Sequence, residues 1–205
     1  SLTAQDIKSL LEDNVILQNQ LIQKFNNLDA LITFTMQAPI EQMKVILEII
    51  AGKLPKPRNN EFSVWLEMLD LKRFEIVLRV FKDSVIFTGS DFGEILEHVE
   101  PLKRDIIYDE YVESLPALIQ SAEDVDIALM LLSHEKRVTV YEKIKQKLPS
   151  LIKNGYEFGC VLEFLPDSQR DEVYEQMKDT IPDLIRNAED LGFALQYLST
   201  SQCQA

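Results

Sequence analysis

The 205 residues carry 34 acidic against 21 basic side chains, a net charge of −13, with 46% hydrophobic and 27% charged residues. That balance is the one of a globular chain with enough apolar material for an extended core, and it excludes disordered and collagen-like classes. No apolar run approaches the ~20 residues that span a bilayer, the longest clear one covering residues 127–132; the two cysteines, Cys160 and Cys203, are too few for a disulfide framework and lack zinc-ligand spacing.

In chain order, residues 3–25 place Ile7, Leu10, Leu11, Val15, Leu17, Leu21, Ile22 and Phe25 at mostly helical steps behind a Thr3/Asp6 capping box, which predicts an N-terminal capping helix. Residues 30–60 read as a worn repeat unit, Leu54-Pro55 matching Leu115-Pro116 further on, and the stretch KLPKPRNN at 53–60 reads as a loop or bend. Residues 61–90 form a second degenerate copy, in which EFSVWLEML resembles EFGCVLEFL of residues 157–165.

From Asp91 the chain repeats openly. Asp91, Asp124, Glu157 and Asp190 stand 33 apart, and so do Arg104, Arg137 and Arg170, Tyr108, Tyr141 and Tyr174, and Pro116, Pro149 and Pro182. A fixed period of this length is the signature of units that stack to bury faces none can bury alone. The expected fold is therefore all-α, an α-solenoid of helical hairpins with a period of about 33 residues. Its regular units are 91–123, 124–156, 157–189 and a partial 190–205, following a cap and degenerate unit at 1–60 and another at 61–90, all expected in one continuous domain.

Within a unit, Leu148, Leu151, Ile152, Gly155, Phe158, Val161, Leu162 and Leu165 lie three or four apart, which predicts one helix over 149–165 with proline in its first turn and Gly155 and Gly159 as its weak points. A second helix starts behind Ser133, Asp167 or Ser199 as cap and buries Val140, Tyr141 and Ile144 or their equivalents. No segment alternates at period two, so no sheet is expected.

Several local signals dissolve in the repeat. Asp91-Phe92-Gly93 spells the metal-binding tripeptide of protein kinases, but the same positions read Glu157-Phe158-Gly159 and Asp190-Leu191-Gly192, and no Gly-rich or His-Arg-Asp loop accompanies it. His98 and His134 occupy unmatched positions without metal-ligand or triad partners. No catalytic, cofactor-binding or metal-binding residue is assigned, and the chain reads as non-enzymatic. The recurring Arg104, Arg137 and Arg170 with Tyr108, Tyr141 and Tyr174 read as structural residues joining neighbouring units.

Charge is divided unevenly. Residues 1–90 hold 10 basic and 11 acidic side chains, and residues 91–205 hold 11 and 23. A net charge of −12 over the repeats disfavours phosphate backbones and anionic membrane and favours a basic protein partner. Candidate partner-binding residues are those that vary between units, Glu97, Met130 and Glu163 at one repeat position and Asp183 at another, with Tyr111, Ile144 and Met177 as a further variable set.

The pattern acid-Phe-x-x-Val-Leu, Arg-x-x-Val-Tyr, Leu-Pro-x-Leu-Ile over residues 91–203 resembles helical arrays of effector proteins secreted by intracellular bacteria. That resemblance implies delivery into a host cell and a host protein as partner; otherwise the chain is expected to be soluble and cytoplasmic. The start at Ser1 and the end within a repeat read as a piece of something longer. Two other readings stand beside the binding module: an enzyme with a site in the irregular N-terminal half, near His98 or the 53–60 loop, and a spacer within a larger protein.

Overall fold

A computed structural model describes residues 2–203, and among these every regular element is a helix. The chain divides into two compact units, one formed by residues up to Phe87 together with His98–Ile107, the other by Thr88–Glu97 and the chain from Tyr108 onward.

The first unit holds α1 (Ala4–Glu12), α2 (Val15–Lys24), α3 (Leu28–Gln37), α4 (Ile40–Ile50), a single 3-10 turn at Ala51–Lys53, α5 (Asn59–Met68), α6 (Leu71–Val85) and the first residues of α8 (Pro101–Tyr111). Thr3 and Asp6 form the reciprocal capping box. The single helix expected over residues 3–25 is instead two. Asn14 turns its Oδ1 to the Leu17 N–H at 2.9 Å, and so opens a new helix where the apolar spacing alone gives no sign of a break. Core packing centres on Trp65, fully buried between Phe62 and Phe81 in edge-on contacts, with its indole N–H on Thr35 Oγ1 at 2.9 Å. Arg73 on α6 closes the end of α3, donating to the carbonyls of Thr35 and Ala38; such a cation satisfies carbonyls that a helix end leaves without partners.

The second unit is built on one period. Its helices are α7 (Gly89–Glu97), α9 (Leu115–Leu118), α10 (Ala122–Met130), α11 (His134–Ile144), α12 (Leu148–Leu151), α13 (Gly155–Glu163), α14 (Asp167–Met177), α15 (Ile181–Leu184), α16 (Ala188–Gln196) and α17 (Thr200–Cys203), with the end of α8. α7, α10, α13 and α16 start 33 residues apart, as do α8, α11 and α14, and the one-turn helices α9, α12 and α15.

Each interval thus contains three helices where a two-helix hairpin was expected, because the helix predicted over 149–165 is split. α12 ends at Leu151, Ile152 runs extended and buried, and Asn154 caps α13 through Oδ1 on the Glu157 N–H at 2.8 Å. The break falls before Gly155, not at the glycines. Ser133 caps α11 as expected, whereas Asp167 is the first residue of α14 behind Pro166 and its carboxylate pairs with Arg170 at 3.1 Å. The predicted apolar face is the core: Leu148, Phe158 and Leu162 are fully buried, and Ile152, Val161 and Leu165 nearly so.

Candidate functional site

The recurring acids are the inner halves of helix caps. Asp91 accepts from the Thr88 N–H at 2.9 Å while its own N–H donates to Thr88 Oγ1, and Asp124, Glu157 and Asp190 hold the same place behind Ser121, Asn154 and Asn187. Two of them do more. Buried Asp124 accepts from the Ser90 N–H and hydroxyl of α7 and from the Gln120 and Ser121 N–H groups. Burial opposes its charge, yet those bonds outweigh it and hold the carboxyl below its ordinary range. Buried Asp190 likewise accepts from the Tyr156 N–H of α13 and the Arg186 N–H.

Asp124 therefore ties α10 to α7, and Asp190 ties α16 to α13. Glycine lets both pairs close: a Cβ at Gly159 would meet the Phe193 carbonyl oxygen at 2.5 Å, and one at Gly93 would overlap the Ile127 carbonyl oxygen. The Asp-Phe-Gly tripeptide is thus a cap residue, a core residue and a close-approach residue. Backbone contact of this kind tolerates no side chain.

The joint between those pairs is different. The repeat position that reads Gly93, Gly159 and Gly192 in three units reads Asp126 in α10, and the α10–α13 packing is less extensive than that of α7–α10 or α13–α16. Here a cleft of ≈ 390 Å³ opens, lined by Ala122, Glu123, Asp126, Ile127, Leu151, Lys153, Tyr156, Glu157, Cys160 and Ser121. Asp126 Oδ1 lies buried in its wall without a hydrogen-bond partner. Loss of hydration, then the charges of Glu163 on α13 and Glu123 one turn back, push its carboxyl up to about 6.

Cys160 of α13 is buried in the opposite wall and hydrogen-bonded to the Tyr156 hydroxyl. Burial, with Asp126, Glu163 and Glu157 nearby, raises the thiol above its ordinary value despite that bond, which is the opposite of what a thiolate nucleophile requires.

The helices of this register have one sign. α7 carries three acids, α10 three, and α13 and α16 two each, and none of the four carries lysine or arginine. Of the variable residues, Glu97, Met130 and Glu163 end α7, α10 and α13 in matched positions; Glu97 and Met130 are exposed, and Glu163 is partly covered beside Tyr197. Asp183 is exposed on the one-turn helix α15, at a different repeat position. Tyr111, Ile144 and Met177 are buried core residues and not surface.

The recurring arginines sit on the other helices and cover carbonyls. Arg137 donates to Leu129 and Met130 at the end of α10, at 3.0 and 2.8 Å, and its guanidinium lies 5.1 Å from the Phe164 ring. Arg170 repeats this on Leu162 and Glu163 of α13 and over Tyr197, while Arg104 donates to Val99. Tyr141 donates to Glu172 of α14 at 2.9 Å and Tyr174 to the Gln202 carbonyl at 3.4 Å, and Tyr108 bonds Thr139 of α11.

His98 and His134 do not line the cleft, and among the described residues no group of His, Cys, Asp and Glu is arranged to hold a metal ion. No described helix is long and apolar enough to cross a membrane. Compared with known proteins, the chain matches no family model, no curated protein and no solved structure.

Proposed function

We propose that the chain is a non-catalytic protein-binding module, an α-solenoid of 33-residue units whose helices α7, α10, α13 and α16 present an acidic face to a basic protein partner. The observation that carries this reading is the segregation of charge: those four helices hold carboxylates alone, while Arg137 and Arg170 on α11 and α14 are occupied in covering helix ends. Fields of one sign steer an oppositely charged partner and raise its association rate. In the setting that the effector resemblance implies, the partner is a host-cell protein.

The test is a salt titration of the association rate with the purified basic partner, on the wild type and on the E97K/E163K double variant. Screening shortens from ~8 Å at 0.15 M salt to ~3 Å at 1 M, so the wild-type rate should fall steeply with salt and the double variant should be slower at low salt. A rate indifferent to both, in a variant that keeps its helical spectrum, would remove the acidic face from the interaction.

A further inference from the structure

We propose that the joint between α10 and α13 is a proton-controlled hinge, closed when Asp126 holds a proton and loosened when Asp126 is charged. This goes beyond the protein-binding reading and does not depend on it. Two tightly closed pairs meet at the joint: Gly93 admits the Ile127 backbone and Gly159 the Phe193 backbone, while Asp124 and Asp190 accept from the neighbouring helix of their pair. Between the pairs, α10 carries Asp126 where α7, α13 and α16 carry glycine, its packing on α13 is less extensive, and a cleft of ≈ 390 Å³ remains. The other helices supply a pivot. Tyr141 of α11 donates to Glu172 of α14 at 2.9 Å, and Arg137 lies 5.1 Å from the Phe164 ring at the end of α13.

Charge decides how the loose edge sits. Asp126 Oδ1 is buried without a hydrogen-bond partner among the described residues. Near this carboxyl stand Glu123 on its own helix, Glu163, Glu157, Tyr156 and the Cys160 thiol on α13, and Lys153 ahead of α13. The acids of α7, Asp91, Glu94 and Glu97, belong to a helix that bears on α10 at Asp124 and Ile127, and those of α16, Glu189 and Asp190, to one that bears on α13 at Gly155 and Gly159. Burial, then Glu163 and Glu123, make the charged form of Asp126 costly in the closed joint and raise its carboxyl to about 6. Opening lets water reach it and returns it toward 3.8. Protonation therefore favours the closed form: closure is unopposed below about pH 4, weakens from there to about pH 6, and bears the full cost above.

Cys160, buried on α13 at this joint, reports the opening. The experiment is its rate of reaction with 4,4′-dithiodipyridine at pH 4.5 and 7.5 in a C203S background, which removes the exposed thiol. Each rate is divided by that of the urea-unfolded chain at the same pH, which cancels the ordinary titration of a thiol. The ratio should rise about threefold from pH 4.5 to 7.5. D126N and D126G, with helical spectra retained, should hold a low ratio at both pH values, D126G because it restores the glycine of the closed joints. A near-isosteric control, V173C in a C160S/C203S background, places the thiol at a fully buried site on α14 and should stay protected at both. A ratio indifferent to pH, a rise that D126N retains, or a parallel rise at V173C, which would mark global unfolding, would each overturn the hinge.

Discussion

Replacing Asp126 by asparagine should stabilise the protein at neutral pH, and the size of the gain follows from where the carboxyl sits. Its affinity for a proton rises from an ordinary 3.8 to about 6, chiefly through burial, and then through Glu163 and Glu123. The unfolded chain loses that proton near pH 4 and the folded chain holds it to near pH 6, so between these values the folded state binds more protons and stability falls as pH rises. Above pH 6 the full cost is present; below pH 4 it is absent.

A shift of this size corresponds to about 3 kcal/mol if taken whole. Asp126 is only partly buried, however, and solvent screening brings the expected cost to about 1 kcal/mol. For a chain of this length that is a Tm change of about 2 to 4 °C. Thermal unfolding of wild type and D126N at pH 7.5 and 4.5 reads it directly: the variant should melt higher at pH 7.5, and the gap should shrink to about a third at pH 4.5. Equal stability at pH 7.5, or a gap unchanged by acid, would refute the reasoning, the first by showing that the charge costs nothing and the second by showing that its titration is not the cause.

Other substitutions test the packing from different sides. G159A should destabilise by about 1 to 3 kcal/mol because its methyl meets the Phe193 backbone, while G192A, with open space at the same repeat position, should stabilise by up to about 1 kcal/mol through helix propensity; denaturant melts giving the two the same sign would show that the glycines are not close-approach residues. L148A and L162A, both emptying fully buried sites, should each cost about 2 to 5 kcal/mol, and a loss below about 1 kcal/mol at both would mean that the core face is wrongly placed. D124A removes an acceptor serving four donors, two on Ser90 of α7 and two in the segment before α10, and should cost about 2 to 4 kcal/mol; a chemical melt within about 0.5 kcal/mol of wild type, the usual scale of surface changes, would show that the tie between α7 and α10 is incidental.

The period was legible because capping acid, arginine, tyrosine and proline each recur at one interval, and each answers to a local requirement of a helix end. The breaks were not, for a physical reason: Ile152 and Phe158 both face the core, so apolar spacing runs on through residues 152–154 although the backbone turns there. Asn14 and Asn154 carry the missing signal, an N-cap side chain inside what reads as a continuous stripe. Asp126 was visible too, as the one acid in a column of glycines. Gly159 suggested a weak point only while its own helix was considered; what fixes it as a contact is Phe193 in the next unit, which no reading of the single helix contains. The choice of Glu97, Met130 and Glu163 found one variable column on the acid-only helices and passed over the column beside it.

Asp126 acts on the joint in two ways that reinforce each other. Sterically, a side chain at a position where a bare methyl would already press on the neighbouring backbone forbids the approach that glycine permits. Electrostatically, its charge is opposed by Glu163 of α13 and by Glu123 of its own helix, so like charges on the two helices resist a closer approach. The pairs α7–α10 and α13–α16 have the opposite design, each held by a buried aspartate that accepts from the neighbouring helix and from the segment leading into its own. A chain that closes two joints with satisfied aspartates and leaves an unsatisfied one at the joint between them holds that joint less tightly than its neighbours.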